Sequence, residues 1–492
     1  MLFRNDFFFT FAARLETLLT MADNIIGRKK EQEQLWKCYH SGRPEFIAVY
    51  GRRRVGKTFL VKHVFEKNID FYMTGIYQGS RQDHLALFQK QINQYADSIY
   101  PPVHTWDEAF EQLKHYLSNL QKERIVVFLD ELPWMDVPRS KFLQAFSVFW
   151  NMYGSDNNRL MLIVCGSATT WMTSQLIGNT GGLYDRLTQN IYLEPFTLAE
   201  TQQFFDRRNI GWEKKQTVDF YMAAGGIPYY LSLVQPGLSV AQNIDRLFFA
   251  PHAPLQQEYE FLFRSLFKDA AIYQRVVELL SRKAKGMTRE EIKQSLKLKD
   301  GGMLSTVLSN LCTCDFIRKY RAFGKKERDV LYQLCDFYTL FYLRFVKSHG
   351  GDEHLWSHST DDPARRAWSG YAFEQVCLQH IRQIKQALGI SGVQTNTCSW
   401  VSREPEHGAQ IDLLIERRDD VVNVCEVKYA AAPYAVSKEY YLQLMNRIAL
   451  FRSQTGTRKA LVLTMITTYG LKPGGYASSV PLSLTFDDLF GS

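Results

Sequence analysis

The chain has 492 residues, of which 46% are hydrophobic and 22% charged, and its formal net charge is +8. This length predicts about three or four domains, and the composition excludes a disordered, collagenous or low-complexity protein. No apolar run reaches the roughly 18 residues of a membrane span, and the eight cysteines show no C-x-x-C pairs, so we expect a cytoplasmic protein without membrane segments, disulfides or structural zinc.

The N-terminus carries a short apolar run over residues 7–13, which looks like the core of a signal peptide. Arg14 and Glu16 interrupt this run at once, and Met21 begins a more usual opening. We therefore treat residues 1–21 as an extension without an assigned role.

A phosphate-binding loop is predicted where the pattern G-x-x-x-x-G-K-T follows an apolar run and precedes helix-like sequence. Its main-chain N–H groups and the positive end of the next helix suit the phosphates of ATP. Lys57 then reaches the β/γ-phosphates, and the Thr58 hydroxyl ligates Mg²⁺. A chance match is the alternative, which the strand–loop–helix order disfavours. The predicted nucleotide-binding residues here are Gly51, Arg52, Arg53, Arg54, Val55, Gly56, Lys57 and Thr58.

An acidic pair, Asp130 and Glu131, follows the apolar residues 125–129. Such a run is typical of a strand buried on both faces of a parallel sheet, and open α/β sheets bind ligands at the carboxyl ends of their strands. Asp130 is predicted to hold Mg²⁺ and Glu131 to orient and polarise the attacking water. The alternative is a pair of surface carboxylates after a core strand.

Two further polar residues follow apolar segments of the same region. Ser167 comes after the run 160–165 and is placed to sense the γ-phosphate. Arg186 precedes the short run 191–193 and is a candidate to neutralise charge that develops during phosphoryl transfer. A surface or ion-paired arginine is the alternative for Arg186, and a finger acting in trans requires a homo-oligomer.

Together these motifs resemble the AAA+/STAND branch of the phosphate-loop ATPases, and in particular the archaeal-type ATPase family. The opening Ile-Ile-Gly-Arg at residues 25–28 is similar to that family's entry motif, with Lys29 where an acid is often found. The Gly-Gly-Ile-Pro-Tyr-Tyr-Leu segment at residues 225–231 resembles the signature of its helical lid. The resemblance covers about residues 22–250 and implies the same site roles, with Ser167 as first sensor and Arg186 as arginine finger.

The middle of the chain is strongly basic, with 14 Lys and Arg against 6 Asp and Glu between Arg275 and Arg328. Such a surplus indicates a polyanion partner, and a solvated basic face is the alternative. Helical spacing over 270–281, a capping-box pattern at Thr288 and a third amphipathic stretch precede a strand–turn–strand pattern, which together predict a winged helix. Its predicted DNA phosphate contacts are Arg318, Lys319, Arg321, Lys325 and Lys326. Winged helices also dock proteins, so this alternative stays open.

The C-terminal region carries a second candidate site. Glu426 and Lys428 lie two residues apart on a predicted strand and therefore share one face. A hairpin partner brings the Asp412 carboxylate alongside. Carboxylates suit Mg²⁺ or Mn²⁺, which would stabilise a scissile phosphate and lower the pKa of a water. Lys428 would orient that water or offset negative charge in the transition state.

This pattern resembles the PD-(D/E)XK nuclease fold, in the form found behind archaeal-type ATPases, with Ile411 at the usual proline position. By that resemblance Glu374, on a long helix predicted from residue 368 through Leu388, is a further acid of the metal site. Tyr440, Tyr441 and Gln443 match more weakly as extra substrate contacts. A D…E-x-K pattern is common by chance, so this prediction depends on the strand context, on the upstream Glu374 and on the ATPase motifs of the same chain.

The sequence thus predicts an α/β protein: a phosphate-loop AAA+ parallel sheet with a helical lid, a winged helix and a C-terminal α/β restriction-endonuclease-like domain. We expect ATP binding and hydrolysis coupled to DNA binding and metal-dependent phosphodiester cleavage. The alternative is a nucleotide-controlled regulator or scaffold whose C-terminal domain binds DNA or protein without cutting. The predicted domains are an extension (1–21), an ATPase core (22–195), a lid (196–268), a winged helix (269–346), a linker (347–364) and a nuclease-like domain (365–492).

Overall fold

The computed structural model describes residues 25–178, 183, 185–299, 301–324, 330–402 and 408–491. Contacts within the chain divide it into two compact units, which meet in sequence at Pro195 and Phe196. The predicted N-terminal extension and the residues Tyr184, Asp300, Lys325 and Lys326 lie outside the described residues.

The N-terminal unit contains a five-stranded parallel sheet in the order β2-β3-β4-β1-β5. Its strands are β1 (Glu45–Tyr50), β2 (Ile69–Thr74), β3 (Ile125–Asp130), β4 (Leu160–Gly166) and β5 (Gln189–Tyr192). Its helices are α1 (Lys29–Tyr39), α2 (Lys57–Phe65), α3 (Arg81–Ala96), α4 (Trp106–Asn119), α5 (Phe142–Met152) and α6 (Thr169–Trp171), which continues as a π-helix over Met172–Ile177. This arrangement confirms the predicted α/β fold with a parallel sheet.

Burial explains why strands β3 and β4 are apolar without alternation. Every residue of β3 and β4 is buried, as expected for central strands of a parallel sheet that is covered on both faces. The core between the sheet and helices α3, α4 and α5 is rich in aromatic side chains, among them Phe71, Phe88 and Phe110. Polar residues therefore appear only where these strands end.

The C-terminal unit begins with helices, which are α7 (Leu198–Arg207), α8 (Lys214–Ala224), α9 (Pro228–Ser232), α10 (Val240–Ile244) and α11 (Glu258–Leu266). Next come α12 (Ala270–Ser281), β6 (Met287–Thr288), α13 (Arg289–Ser295), α14 (Gly302–Thr313), β7 (Ile317–Tyr320) and β8 (Leu331–Leu334). The strands form a small antiparallel sheet in the order β6-β8-β7. The predicted capping box is confirmed, because Thr288 Oγ1 accepts the Glu291 N–H at 3.2 Å while the Glu291 carboxylate accepts the Thr288 N–H at 2.7 Å.

The rest of this unit contains helices α15 (Phe337–Phe341), α16 (Leu355–His358), α17 (Pro363–Gln379), α18 (Ile381–Ala387) and α19 (Lys438–Thr455). Its strands are β9 (Thr395–Val401), β10 (Gln410–Arg417), β11 (Val421–Lys428), β12 (Ala460–Thr467) and β13 (Leu482–Thr485). They form a separate mixed sheet in the order β13-β12-β11-β10-β9, in which β9, β10 and β11 pair antiparallel and β11, β12 and β13 pair parallel. Helix α17 packs against β11.

Two local predictions differ from the structure. The long helix predicted through Leu388 is interrupted at His380, whose ψ is 30° and whose Nε2 accepts the Leu198 N–H at 3.0 Å. The predicted linker 347–364 contains α16, in which Trp356 is buried. The main-chain N–H of Trp356 donates to the buried Asp245 carboxylate at 2.8 Å. In both places a long-range hydrogen bond, which local sequence does not reveal, sets the backbone.

Candidate functional site

The loop between β1 and α2 has the conformation that its glycines permit. Gly51 has φ 143° and Gly56 has φ 92°, both in the region that favours glycine. A Cβ at Gly51 would clash with the main chain of Leu193. At Gly56, which immediately precedes α2, a Cβ would meet no atom, so only the backbone angle requires glycine there. The loop therefore curls against the end of β5 and leads directly into a helix N-terminus.

Lys57 lies at the first position of α2 and is buried, with 5% of its surface exposed. Its Nζ donates hydrogen bonds of 3.0 Å to the carbonyl oxygens of Gly51 and Arg52. Burial lowers the pKa of Lys57, and the nearby Glu131 carboxylate opposes this effect. The ammonium group is thus held inside the loop, where a phosphate group is its natural partner.

Thr58 and Asp130 are brought together from opposite sides of the predicted site. Thr58 Oγ1 donates a 2.7 Å hydrogen bond to Asp130 Oδ2, although the two residues are 72 positions apart in sequence. Burial raises the pKa of Asp130, while the Thr58 hydrogen bond lowers it. A hydroxyl and a carboxylate at this distance provide two of the oxygen ligands that Mg²⁺ prefers.

Glu131 and Ser167 form a second contact beside the loop. Ser167 donates to Glu131 Oε2 through both its N–H at 3.0 Å and its hydroxyl at 2.8 Å. The strand order explains this meeting: β4, which ends just before Ser167, lies between β1 and β3, and so between the loop and the acidic pair. Glu131 has φ 46°, a left-handed conformation that is uncommon for glutamate and often marks functional positions.

Arg186 is exposed just before β5, and its side chain makes no hydrogen bond or ion pair within the described part of the chain. Of the other predicted loop residues, Arg52 and Val55 are buried, and Arg53 and Arg54 are half-buried. The structure therefore brings Lys57, Thr58, Asp130, Glu131 and Ser167 together, and within the described residues no side-chain hydrogen bond or ion pair connects Arg186 to them. The donor set, a buried ammonium with hydroxyl and carboxylate oxygens, fits a Mg²⁺-bound nucleoside triphosphate.

The second candidate site forms on the C-terminal sheet. Leu413 of β10 pairs with Cys425 of β11, and Asp412 and Glu426 are the next residues outward from this pair on the two strands. The two carboxyl groups therefore lie on neighbouring strands at the same end of the strand pair. Lys428 Nζ lies 2.9 Å from Glu426 Oε1, which confirms that these two side chains share a face.

Glu426 has three hydrogen-bonding partners. Besides Lys428, the Tyr440 hydroxyl donates to Oε1 at 2.6 Å and Arg447 Nη1 donates to Oε2 at 2.7 Å. Burial opposes ionisation of Glu426, but Lys428, Tyr440 and Arg447 together hold its pKa below the usual range. Both oxygens of this carboxylate are therefore engaged by protein donors.

The pKa values of the other two acids, Glu374 and Asp412, are shifted in the opposite direction, upwards. Burial raises the pKa of Glu374 to about 8, and the carboxylates of Asp412 and Glu426 add to the shift. Asp412 is accessible to solvent and accepts a hydrogen bond from Gln410, yet the surrounding protein raises its pKa, and Glu426 contributes. Three carboxyl groups thus lie within electrostatic reach of one another, and burial disfavours the ionised form of Glu374 and Asp412.

Carboxylate oxygens are the ligands that a hard divalent cation such as Mg²⁺ or Mn²⁺ prefers, and such an ion would favour the ionised form of the acids. Among the described residues, however, no group of three or more histidine, cysteine, aspartate or glutamate side chains is placed closely enough to hold a metal ion. The three acids are near enough to affect one another's ionisation. To bind an ion, the Glu426 carboxylate would have to give up a hydrogen bond from one of its protein donors.

Sequence reasoning missed Arg447, Gln410 and Gln375 at this site. Arg447 lies seven residues after Tyr440 on α19, so helical periodicity places both on one face, a signal that could have identified it. Gln375 follows Glu374, and both residues line a cavity of the C-terminal unit, where Gln375 is buried. Of the weaker candidates, Tyr440 contacts Glu426, whereas Tyr441 stacks on Tyr476 and Gln443 is exposed.

The geometry of the N-terminal unit defines the class: it is a phosphate-loop nucleotide-binding domain. Residues 25–234 match the family described as an ATPase domain predominantly from Archaea. This match assigns an archaeal-type ATPase domain to that part of the chain and agrees with nucleotide-dependent activity. None of the helices in the described ranges has the length and apolar character that crossing a membrane requires.

Three further similarities concern most of the chain. An uncharacterized protein of Methanocaldococcus jannaschii is 25% identical over 431 residues, which are 87% of this chain and 92% of that protein. A Walker-type ATPase of Pyrococcus abyssi is 17% identical, with a TM-score of 0.48 over 66% of this chain and 97% of that one. The ORC2 protein of Aeropyrum pernix is 14% identical, with a TM-score of 0.40 over 68% of this chain and 96% of that one.

Proposed function

We propose that this chain binds and hydrolyses ATP with Mg²⁺, and that its nucleotide state controls DNA binding and metal-dependent phosphodiester cleavage at the C-terminal acids. The hydrolysis part is supported above all by the Thr58–Asp130 contact of 2.7 Å, directly beside a buried loop lysine. The cleavage part is supported by Asp412 and Glu426, which lie next to the paired Leu413 and Cys425 on neighbouring strands, and by Lys428 at 2.9 Å from the Glu426 carboxylate.

Each residue of the nucleotide site has a distinct role in this proposal. The loop amides and Lys57 bind the phosphates, while Thr58 and Asp130 hold the metal ion, which neutralises charge on the β- and γ-phosphates. Glu131 orients and polarises a water for in-line attack on the γ-phosphate. Ser167 holds the Glu131 carboxylate in place through two hydrogen bonds, so that this base is positioned before the nucleotide arrives.

At the C-terminal acids, Glu374, Asp412 and Glu426 would hold Mg²⁺ or Mn²⁺. The ion would stabilise charge on the scissile phosphate and lower the pKa of a water. Lys428 is placed to orient that water or to offset negative charge on the phosphate. Arg447, which lies 2.7 Å from the other oxygen of Glu426, adds a second fixed cation toward the DNA backbone.

A second function, binding of DNA or protein without cleavage, is favoured by one observation. The Glu426 carboxylate is already satisfied by Tyr440, Lys428 and Arg447, which is the state expected of a structural ion-pair network. In this case the ATPase unit would act as a switch, and the C-terminal site would recognise its partner without a metal ion.

One experiment separates the two functions. Purified protein is incubated with supercoiled plasmid and with linear DNA, in Mg²⁺ or Mn²⁺, with and without ATP. We expect the wild type to cut, and Asp412→Asn and Lys428→Ala to lose at least about 100-fold in rate, the scale of a lost charge-stabilising group. The control is Asp419→Asn, in the turn between β10 and β11, where the exposed carboxylate accepts hydrogen bonds from Arg417. Cleavage that persists in Asp412→Asn rules out the assigned nuclease site.

The ATPase assignment has its own test. Lys57→Ala is expected to abolish ATP turnover, because the buried ammonium is the main cation available to the β- and γ-phosphates. Lys67→Ala, an exposed lysine shortly after α2, serves as the control and keeps full turnover. Turnover that survives Lys57→Ala contradicts the proposal whatever the DNA assay shows.

A further inference from the structure

The C-terminal unit contains a cavity of about 620 Å³ next to the acidic cluster. It is bounded by the β7–β8 sheet, by helices α17 and α18 and by strands β9 to β11. The residues that matter for its chemistry are Lys285, Arg318, Lys319, Glu374, Asp412 and Lys428. The basic middle segment and the C-terminal acids, which the sequence places in different predicted domains, therefore line one space.

The β7 segment is fixed to the C-terminal sheet rather than free to contact a duplex. Phe323 N–H donates to the Ser399 carbonyl at 2.7 Å, and the Phe323 ring packs edge-on against Phe451 with centroids 4.9 Å apart. Arg318 Nη2 donates to the Gln375 side chain on α17. These contacts thus hold β7 in place as one wall of the cavity.

Arg318 offers an unmet hydrogen-bond donor in this wall. Its Nε is buried and makes no hydrogen bond within the described part of the chain. A phosphate oxygen is the acceptor that a guanidinium matches best. Lys285 is exposed at the same cavity, where its ammonium adds a mobile positive charge. These two cations define a candidate phosphate subsite opposite the acids.

The size of the cavity decides which form of DNA it admits. A space of about 620 Å³ lies within the range of pockets that hold small molecules and is suited to one nucleotide unit or a short stretch of one strand. A duplex has grooves of about 6 and 12 Å between two backbones and is far too wide for it. Enzymes that act on enclosed nucleotides take single-stranded or extruded substrate.

We propose that this cavity binds the backbone of a single, unpaired DNA strand, with Arg318 and Lys285 as its phosphate contacts. The inference deepens the proposed function and rests on it, since it names the substrate form for the same acidic site. Arg318, which sequence patterning assigned to a duplex-binding hairpin, instead serves the C-terminal site. The strand would lie between the basic wall of β7 and the acids of α17, β10 and β11.

Binding is tested by fluorescence anisotropy with a labelled 20-nucleotide single-stranded DNA, the matching blunt duplex and a single-stranded RNA of the same sequence, all in EDTA. We expect at least tenfold tighter binding of single-stranded DNA than of duplex. Arg318→Gln and Lys285→Gln each weaken single-strand binding at least fivefold and lower the salt slope by about 0.7, the value for one lost phosphate contact. Lys299→Gln, an exposed lysine of the same basic segment that does not line the cavity, leaves binding unchanged.

Equal or tighter binding of duplex or of RNA overturns the proposal, as does unchanged binding in Lys285→Gln. Because Lys285 is exposed, that variant keeps the fold even if Arg318→Gln does not, and Arg318→Lys retains the charge as a further check. If these variants lose single-strand binding and the wild type cuts no DNA, the phosphate subsite is supported and the proposed cleavage is ruled out. Undiminished plasmid cleavage by both variants, with unchanged single-strand binding, keeps the proposed cleavage and removes the subsite.

Discussion

The Ser167 hydroxyl lies 2.8 Å from Glu131 Oε2, and the Ser167 N–H contacts the same oxygen at 3.0 Å. These residues follow different strands, β4 and β3, and meet because the two strands are neighbours in the sheet. The predicted γ-phosphate sensor is therefore directly bonded to the predicted base. We therefore expect a substitution at Ser167 to change the position of the Glu131 carboxylate directly.

Ser167→Ala is expected to lower kcat for ATP hydrolysis about 10- to 100-fold while leaving KM for ATP within about twofold. The hydroxyl that orients Glu131 is lost, but the main-chain N–H remains, so catalysis is reduced and not abolished. Steady-state phosphate release at varied ATP concentration measures both constants. Ser174→Ala, an exposed serine nearby, is the control. A change confined to KM would show that Ser167 binds nucleotide and does not position the base.

Gly51→Ala is expected to destabilise the N-terminal unit by about 1–3 kcal/mol and to abolish ATP binding, because its Cβ meets the Leu193 main chain at a φ that disfavours alanine. Thermal unfolding and binding of a fluorescent ATP analogue measure the two effects. Gly42→Ala has a positive φ of 65° but no neighbour within 4 Å, so it isolates the backbone effect. Equal losses in the two variants would exclude the clash as the cause.

Tyr440→Phe is expected to cost about 1 kcal/mol in the free energy of unfolding, because the 2.6 Å hydrogen bond to the Glu426 carboxylate is lost. Urea denaturation measures this difference. The control is Tyr441→Phe, at the next position of the same helix. The Tyr441 ring stacks on Tyr476, and phenylalanine keeps that contact. If Tyr440→Phe also strengthens Mn²⁺ binding, Glu426 has become available to the ion, which favours the cleavage proposal over the non-cutting one.

His380 predicts a pH dependence of stability in the C-terminal unit. Its Nε2 accepts the Leu198 N–H at 3.0 Å and its Nδ1 donates to the Val376 carbonyl at 2.9 Å, so the buried ring is neutral. Burial lowers the pKa of His380 to about 4, while the Val376 hydrogen bond and Glu200 oppose the shift. Its contribution is fully present above the unfolded pKa of about 6.5 and is lost as the pH falls from there towards 4.

The expected loss reaches about 3 kcal/mol at pH 4, since one pKa unit corresponds to about 1.4 kcal/mol. Unfolding free energies of the wild type and of His380→Gln are compared between pH 7 and 4.5. The wild type should lose more stability than His380→Gln, whose amide keeps an acceptor but does not titrate. Parallel pH profiles would contradict the assignment, and the exposed His358→Gln is the control.

Arg186→Ala tests whether the exposed arginine acts on the nucleotide site of a second copy. As a finger in trans it would lower kcat by at least about 100-fold. Mixing this variant with Lys57→Ala would then restore turnover, because one copy supplies the intact loop and the other the arginine. The control is Arg207→Ala, another exposed arginine. Full activity of Arg186→Ala alone, or a mixture that stays inactive, contradicts a role in trans.

Local sequence located the residues that the structure brings together beside the phosphate loop, because they are contiguous or follow apolar strands. The glycines, Lys57 and Thr58 lie within eight residues, Asp130 ends β3, and Ser167 follows β4; the apolar character of both strands is visible in the sequence. The partly polar strand β2, which pairs with β3 at one edge of the sheet, was missed because its apolar residues are interrupted. The break at His380 was missed because its cause is an N–H from a residue 182 positions away.

The sequence by itself determined the phosphate loop, its lysine and threonine, the acidic pair after β3 and the E-x-K spacing, since each depends on neighbours along the chain or on strand periodicity. Only the tertiary structure decided that Ser167 bonds to Glu131, that Arg447 and Tyr440 occupy Glu426, and that Arg318 shares a cavity with Glu374. These relationships depend on which strands are neighbours and on which helix covers them. The pairing of strands and the packing of helices are determined by burial of entire sheet and helix faces, which draw on residues from distant parts of the chain. No short stretch of residues therefore encodes them.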